Sequence, residues 1–157
     1  MLDAFSNQLN ELLVDTYHLI LKVEEQELKN TGKIDLSLNE MHVIEAVGPN
    51  LEGKTISDIA AQLSITLPSV TVAINKLVKK GYVEKVRGEQ DGRTVRVTLT
   101  KQGKKMYSVH RYFHEQMVRN ISAGFTDEEK ETLLNGIFKL NQFFKQRVSK
   151  NGGANEL

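Results

Sequence analysis

Residues 56–103 read ISDIAAQLSITLPSVTVAINKLVKKGYVEKVRGEQDGRTVRVTLTKQG, and the spacing of apolar residues within this stretch decides the fold. From Ile56 to Lys80 the apolar positions recur at helical intervals, interrupted only at Ser64–Thr66. Thr66 suits a helix N-cap, and Pro68 falls in the first turn, where a missing N–H costs nothing. Ala60 and Ala61 are small enough for close helix approach, with Ile59, Leu63, Ile65, Val70, Ile74 and Leu77 as the apolar seam. Two short helices across a tight turn form a helix-turn-helix. After Gly81 the period changes from 3.6 to 2: Tyr82–Arg87 is rich in β-formers, 88–92 is a turn, and Val95, Val97 and Leu99 alternate with Thr94, Arg96 and Thr98. A two-stranded hairpin with a charged tip follows, the wing of a mainly α, winged helix-turn-helix protein.

Outward from this block, Leu2, Phe5, Leu9, Leu12, Leu13, Tyr17, Ile20 and Leu21 trace one face of a long helix ending near Gly32. Ser37–Glu40 is an S-x-x-E capping box opening a second helix that runs to about Val47. Gly48 and Pro49 stop it, and 50–54 reads as a loop. Beyond Thr100, a further N-cap, helical periodicity returns to about Ser122. Thr126–Glu129 opens a last helix carrying Leu133, Leu134, Ile137, Phe138, Leu140, Phe143 and Phe144. The organisation expected is a DNA-binding lobe at 35–100, dimerisation helices at 1–34 and 101–149, and a flexible tail at 150–157. The apolar stripes at both chain ends need a partner surface, which a homodimer supplies.

The net charge of +1 conceals a gradient. Between Thr66 and Lys105 ten cations face three acids, giving +7 there and −6 over the remainder, a pattern suited to a polyanion. No run approaches the roughly 18 apolar residues of a membrane span. The N-terminus has no signal-peptide pattern, so a cytoplasmic location is expected. The chain has no cysteine, which excludes disulfides and thiolate metal sites. It has no G-x-S-x-G, phosphate-cradling glycine loop or H-E-x-x-H, so an enzyme is not expected.

If Val70, Ile74, Leu77 and Val78 face inward, Pro68, Ser69, Val72, Asn75 and Lys76 face out and read the major groove. Ser69 and Thr71 suit phosphate or base contacts, Asn75 an adenine edge and Val72 a thymine methyl. Arg87 and Arg93 flank the wing turn and suit a minor groove, while Asp91 is placed to orient Arg93. The competing class, a protein-interaction module without DNA binding, predicts no salt-sensitive DNA affinity.

The stretch quoted above resembles the central region of the multiple-antibiotic-resistance regulator (MarR) family, including the wing motif D-x-R at Asp91 and Arg93 and the LTKQG signature at Leu99–Gly103. The resemblance implies a repressor that dimerises through its first and last helices and sets two winged lobes on a pseudo-palindromic operator of double-stranded DNA. Val72 departs from the arginine many members carry there. EMHVIEAV at 40–47, GEQDGR at 88–93 and HRYFHEQMV at 110–118 are similar to the fatty-acid-biosynthesis repressors of Gram-positive bacteria. That similarity implies long-chain acyl carrier protein as co-repressor; no cofactor is expected beyond an acyl-chain effector or, in the alternative below, zinc. An acyl chain would need an apolar tunnel, for which Leu13, Tyr17, Ile20, Val43, Val47, Met106, Val109, Phe113 and Met117 are the candidate lining.

His110 and His114, spaced i, i+4, project from one helix face as two metal ligands would. Glu24 and His42 fall at positions resembling ligands of zinc-uptake repressors in the same family. A zinc-responsive repressor using Glu24, His42, His110 and His114 is therefore the alternative. Those sensors carry Glu immediately before the matching His, where this chain has Met41.

Overall fold

A computed structural model describes residues 3–32, 34–87 and 94–152, with side chains described as far as residue 149. Among the described residues six helices and three strands follow in order: α1 (Ala4–Asn30), α2 (Leu38–Val47), β1 (Lys54–Thr55), α3 (Ile56–Leu63), α4 (Leu67–Lys79), β2 (Val83–Arg87), β3 (Val95–Leu99), α5 (Lys101–Ser122) and α6 (Asp127–Gly152). They divide into two compact units, Met1–His110 and Arg111–Leu157. No single helix among the described residues is long and apolar enough to cross a membrane.

The helices begin where short polar side chains satisfy free backbone N–H groups. Asp3 Oδ1 accepts from Ser6 N–H at 2.7 Å to start α1. In the box read from the sequence, Ser37 Oγ accepts from Glu40 N–H at 3.2 Å, and Glu40 Oε2 accepts from Ser37 N–H at 2.8 Å. Thr55 and Asp58 form a second reciprocal box at the start of α3. Thr126 and Glu129 form another at α6. Thr66 caps α4, with Pro68 in its first turn as expected.

The core lies in the first unit. Met41, Ile44 and Val47 of α2, Ile59 of α3, and Val70, Ile74 and Leu77 of α4 meet Val83, Val97 and Leu99 of the sheet and Met106 of α5. Two expectations are corrected. Val78, expected inward, is 39% exposed, because each residue advances about 100° around a helix and 78 lies past the edge of the face set by 70, 74 and 77. Ile65, expected in the helix–helix seam, is 44% exposed in the turn before α4.

The sheet also differs from the expected hairpin. Its order is β1-β3-β2, all antiparallel, with Lys54 opposite Val97 and Val83 opposite Leu99. A two-residue strand is too short to show alternation, so β1 was invisible in the loop read at 50–54. It is held by tertiary contacts: Arg96 Nη1 donates to the Gly53 carbonyl at 3.1 Å. Gly53, at φ +71°, brings its backbone so near Val97 that a Cβ there would lie 2.7 Å from the Val97 oxygen.

Along α1, Phe5, Leu12, Tyr17 and Ile20 are exposed, and Glu24 is the residue buried. In the second unit, Leu134, Ile137, Phe138, Phe143 and Phe144 of α6 are likewise exposed. α6 continues to Gly152, past the point at which the polar tail composition predicts fraying.

Candidate nucleic-acid interface

Presentation of α4 begins in the turn before it. Ser64 adopts a left-handed conformation, φ 54° and ψ 40°, ending α3. Ile65 N–H then returns to the Ala60 carbonyl at 3.2 Å. This tight reversal lets the buried Val70, Ile74 and Leu77 anchor one side of α4 while Pro68, Ser69, Val72, Asn75 and Lys76 occupy the exposed side, as the sequence implies.

Hydrogen bonding refines what these residues offer. Ser69 Oγ pairs with Thr66 Oγ1 at 2.8 Å, so its hydroxyl belongs partly to the helix cap. Thr71 is half-buried and donates its hydroxyl to the Leu67 carbonyl at 2.9 Å, leaving only oxygen lone pairs for DNA. Asn75 Oδ1 accepts from Lys85 Nζ at 2.7 Å. Lys85, on β2, is one of the ten cations between Thr66 and Lys105. Strand alternation was the available signal, since Lys85 stands two residues beyond the buried Val83 on the same β2 face.

The basic stretch is not uniformly available to a polyanion. Lys80, at the end of α4, donates to both carboxylate oxygens of Glu40 at 2.9 and 3.0 Å and pairs with Asp35 at 3.4 Å. Arg96 is turned to Gly53. Lys76, Lys79, Lys85 and Arg87 are exposed. Arg87 ends β2 opposite Val95 at the base of the wing. Asp91 and Arg93 lie outside the described residues. A groove of about 490 Å³ runs between the start of α2 and α4, with Ser37, Asn39 and His42 on one wall and Ser69, Val72 and Lys76 on the other.

A second constellation sits behind this surface. Glu24 is 5% exposed on α1. His42 Nε2 lies 3.4 Å from its carboxylate, and a His110 ring nitrogen lies within 4.8 Å of it. His110, 7% exposed, has its ring centroid 6.2 Å from that of His42 and its Nε2 3.8 Å from Glu45. The structure thus brings Glu24, His42 and His110 together, and His114 follows one helical turn later on α5. Met41 is fully buried in the core.

The candidate acyl lining is dispersed by burial. Val43, Val47 and Met106 are core residues. Tyr17 and Ile20 are exposed, and Leu13, Val109, Phe113 and Met117 are half-buried.

The family described as transcriptional regulator SarA/Rot matches residues 25–109, more than half of the chain. The regulator SarZ of Staphylococcus haemolyticus (strain JCSC1435) is 30% identical over 132 residues, 84% of this chain and 86% of that protein. The uncharacterized regulator YhjH of Bacillus subtilis (strain 168) is 26% identical over 113 residues, and the match covers 72% of this chain but only 64% of YhjH. Among solved structures, Streptococcus pneumoniae FabT in complex with DNA is 36% identical with a TM-score of 0.85, covering 90% of this chain and 98% of that one. The matched family and relatives are transcriptional regulators rather than enzymes. By sequence and by fold, the chain belongs to the SarA/Rot family of transcriptional regulators, built on the winged helix-turn-helix of the MarR regulators.

Proposed function

We propose that this protein is a repressor that binds a pseudo-palindromic operator as a homodimer, controls fatty-acid-synthesis genes and takes long-chain acyl carrier protein as co-repressor. One observation carries the reading: an exposed α4 beside a cationic wing base, on a chain 36% identical to FabT, whose structure is a complex with DNA. The exposed apolar stripes of α1 and α6 support self-association, since a lone chain leaves them in water. The co-repressor rests on the resemblance of residues 40–47, 88–93 and 110–118 to the fatty-acid-biosynthesis repressors of Gram-positive bacteria.

The test is titration onto DNA from immediately upstream of its own gene, at two salt concentrations, with and without long-chain acyl carrier protein. Affinity should fall steeply with salt, as contacts to phosphate are lost, and rise with the acyl form. Arg93→Ala should weaken binding by removing the wing contact. Salt-dependent binding indifferent to the acyl form would retain the repressor and remove the co-repressor. No binding at either salt would favour a protein-interaction module.

A second reading, a zinc-responsive repressor, is favoured by the buried Glu24 carboxylate beside two imidazoles. Carboxylate and imidazole donors suit zinc. Glu24, His42 and His110 would hold it, with His114 as the fourth ligand that its i, i+4 spacing from His110 implies. Zinc, when bound, would tie α1 to α2 and α5 as a single positive centre. The present contacts also satisfy these groups without metal. Zinc added to metal-free protein should raise its melting temperature and change operator affinity. No change in either would remove this reading.

A further inference from the structure

Asn75 and Lys85 come from different elements, the exposed side of α4 and the exposed middle of β2, and meet through the 2.7 Å bond from Lys85 Nζ to Asn75 Oδ1. An ammonium only donates, so the amide atom it faces must be the oxygen; chemistry fixes the orientation of the amide. Neither residue is needed for the core, because Val70, Ile74, Leu77 and Val83 already seal α4 against the sheet. The bond joins the reading surface to the base of the wing.

From this juxtaposition we propose that Lys85 is a positioning residue for sequence readout: it holds the Asn75 amide with its oxygen toward the wing, so that Asn75 selects adenine at the base pair beneath it. The inference deepens the operator-binding reading and rests on it. An asparagine amide reads adenine with both ends, Nδ2 donating to N7 and Oδ1 accepting from the N6 amino group. A carbonyl oxygen has two lone pairs, so one serves Lys85 and the other the base. An unrestrained amide turns over by half a rotation, exchanging donor and acceptor, and loses that discrimination. With Lys85 in place, turning over would set the Nδ2 hydrogens against an ammonium, donor against donor. Guanine would set its O6 against Oδ1, acceptor against acceptor, and a pyrimidine has no N7.

The experiment is selection from a pool of random duplexes by the full chain and by Asn75→Ala, Lys85→Met and Lys85→Arg, followed by affinity measurement for each base at the selected positions. The unmodified chain should enrich one motif with adenine at the position where Asn75→Ala loses preference. There Lys85→Met should shrink the adenine-to-guanine affinity ratio by about tenfold, within the range of a bidentate base contact, while the other positions keep their preferences. Lys85→Arg, which retains a donor, should keep most of that ratio. A uniform loss of affinity in Lys85→Met, with the adenine preference intact, would overturn the positioning role and leave Lys85 as a phosphate contact. Unchanged preferences in Asn75→Ala would overturn it as well. Failure of the unmodified chain to enrich any duplex would instead overturn the operator-binding reading and this inference with it.

Discussion

Gly103→Ala is expected to destabilise the protein by about 3 kcal/mol, in the upper range for overpacked sites. In most helices this change would stabilise by about 1 kcal/mol, because alanine loses less backbone freedom on folding. Here the surroundings reverse the sign. A Cβ at Gly103 would overlap the Tyr82 carbonyl oxygen and lie 3.3 Å from Leu99 Cβ. The first obstacle is backbone and cannot rotate away. It is also held in place: Thr100 N–H donates to that same oxygen at 3.1 Å, and Thr100 Oγ1 donates to the Gly81 carbonyl at 2.7 Å while accepting from Gly103 N–H at 3.1 Å. The first turn of α5 therefore has to move away from the chain that leaves α4. Urea denaturation should show a lower midpoint, and a midpoint equal to or above that of the unmodified chain would show that α5 can accommodate a Cβ at 103.

Lys80→Met is expected to destabilise by about 2 kcal/mol, the cost of leaving a buried charged acceptor short of a donor, moderated because Lys80 is partly in solvent. Glu40 is 6% exposed, and its remaining donors would be Ser37 N–H at 2.8 Å and Ser37 Oγ at 3.2 Å. Adding Glu40→Gln to Lys80→Met should recover part of the loss, since a neutral amide tolerates that site better than an unpaired carboxylate. Burial opposes ionisation of Glu40, but the Ser37 N–H and the Lys80 ammonium outweigh it and hold the carboxyl below its ordinary 4.5. Lys80 is raised above its ordinary 10.5, chiefly by its hydrogen bond to Glu40 and against the effect of burial. A lowered acid stabilises above its ordinary value and loses that contribution as pH falls through the folded one. A raised base stabilises below its ordinary value and loses it as pH rises through the folded one. The pair contributes fully between pH of about 4.5 and 10.5. Denaturant midpoints measured against pH should show the gap between the unmodified chain and Lys80→Met narrowing as pH falls below about 4.5, because protonating Glu40 removes from the unmodified chain the pair that the variant already lacks. Superimposable curves would mean that the pair is inert.

These two sites separate what is local from what is not. Ser37 and Glu40 were recognisable as a capping box because three residues of spacing suffice to define one. That Lys80 completes the site, forty residues away, follows only from the packing of α4 on α2. LTKQG could be matched as a motif, yet the need for glycine at 103 is set by the carbonyl of Tyr82, just before the neighbouring strand β2.

By itself the sequence determined the order of the helices, the starts of α2, α4, α5 and α6, the helix-turn-helix, the two longer strands and the exposed side of α4, because each depends on periodicity, capping and turn chemistry within a few residues. Tertiary structure alone decided the third strand at Lys54–Thr55, the exposure of Val78 and Ile65, the meeting of Glu24, His42 and His110, and the bond between Lys85 and Asn75. Each of these depends on the distance between elements far apart in the chain, which packing sets and residue spacing does not record.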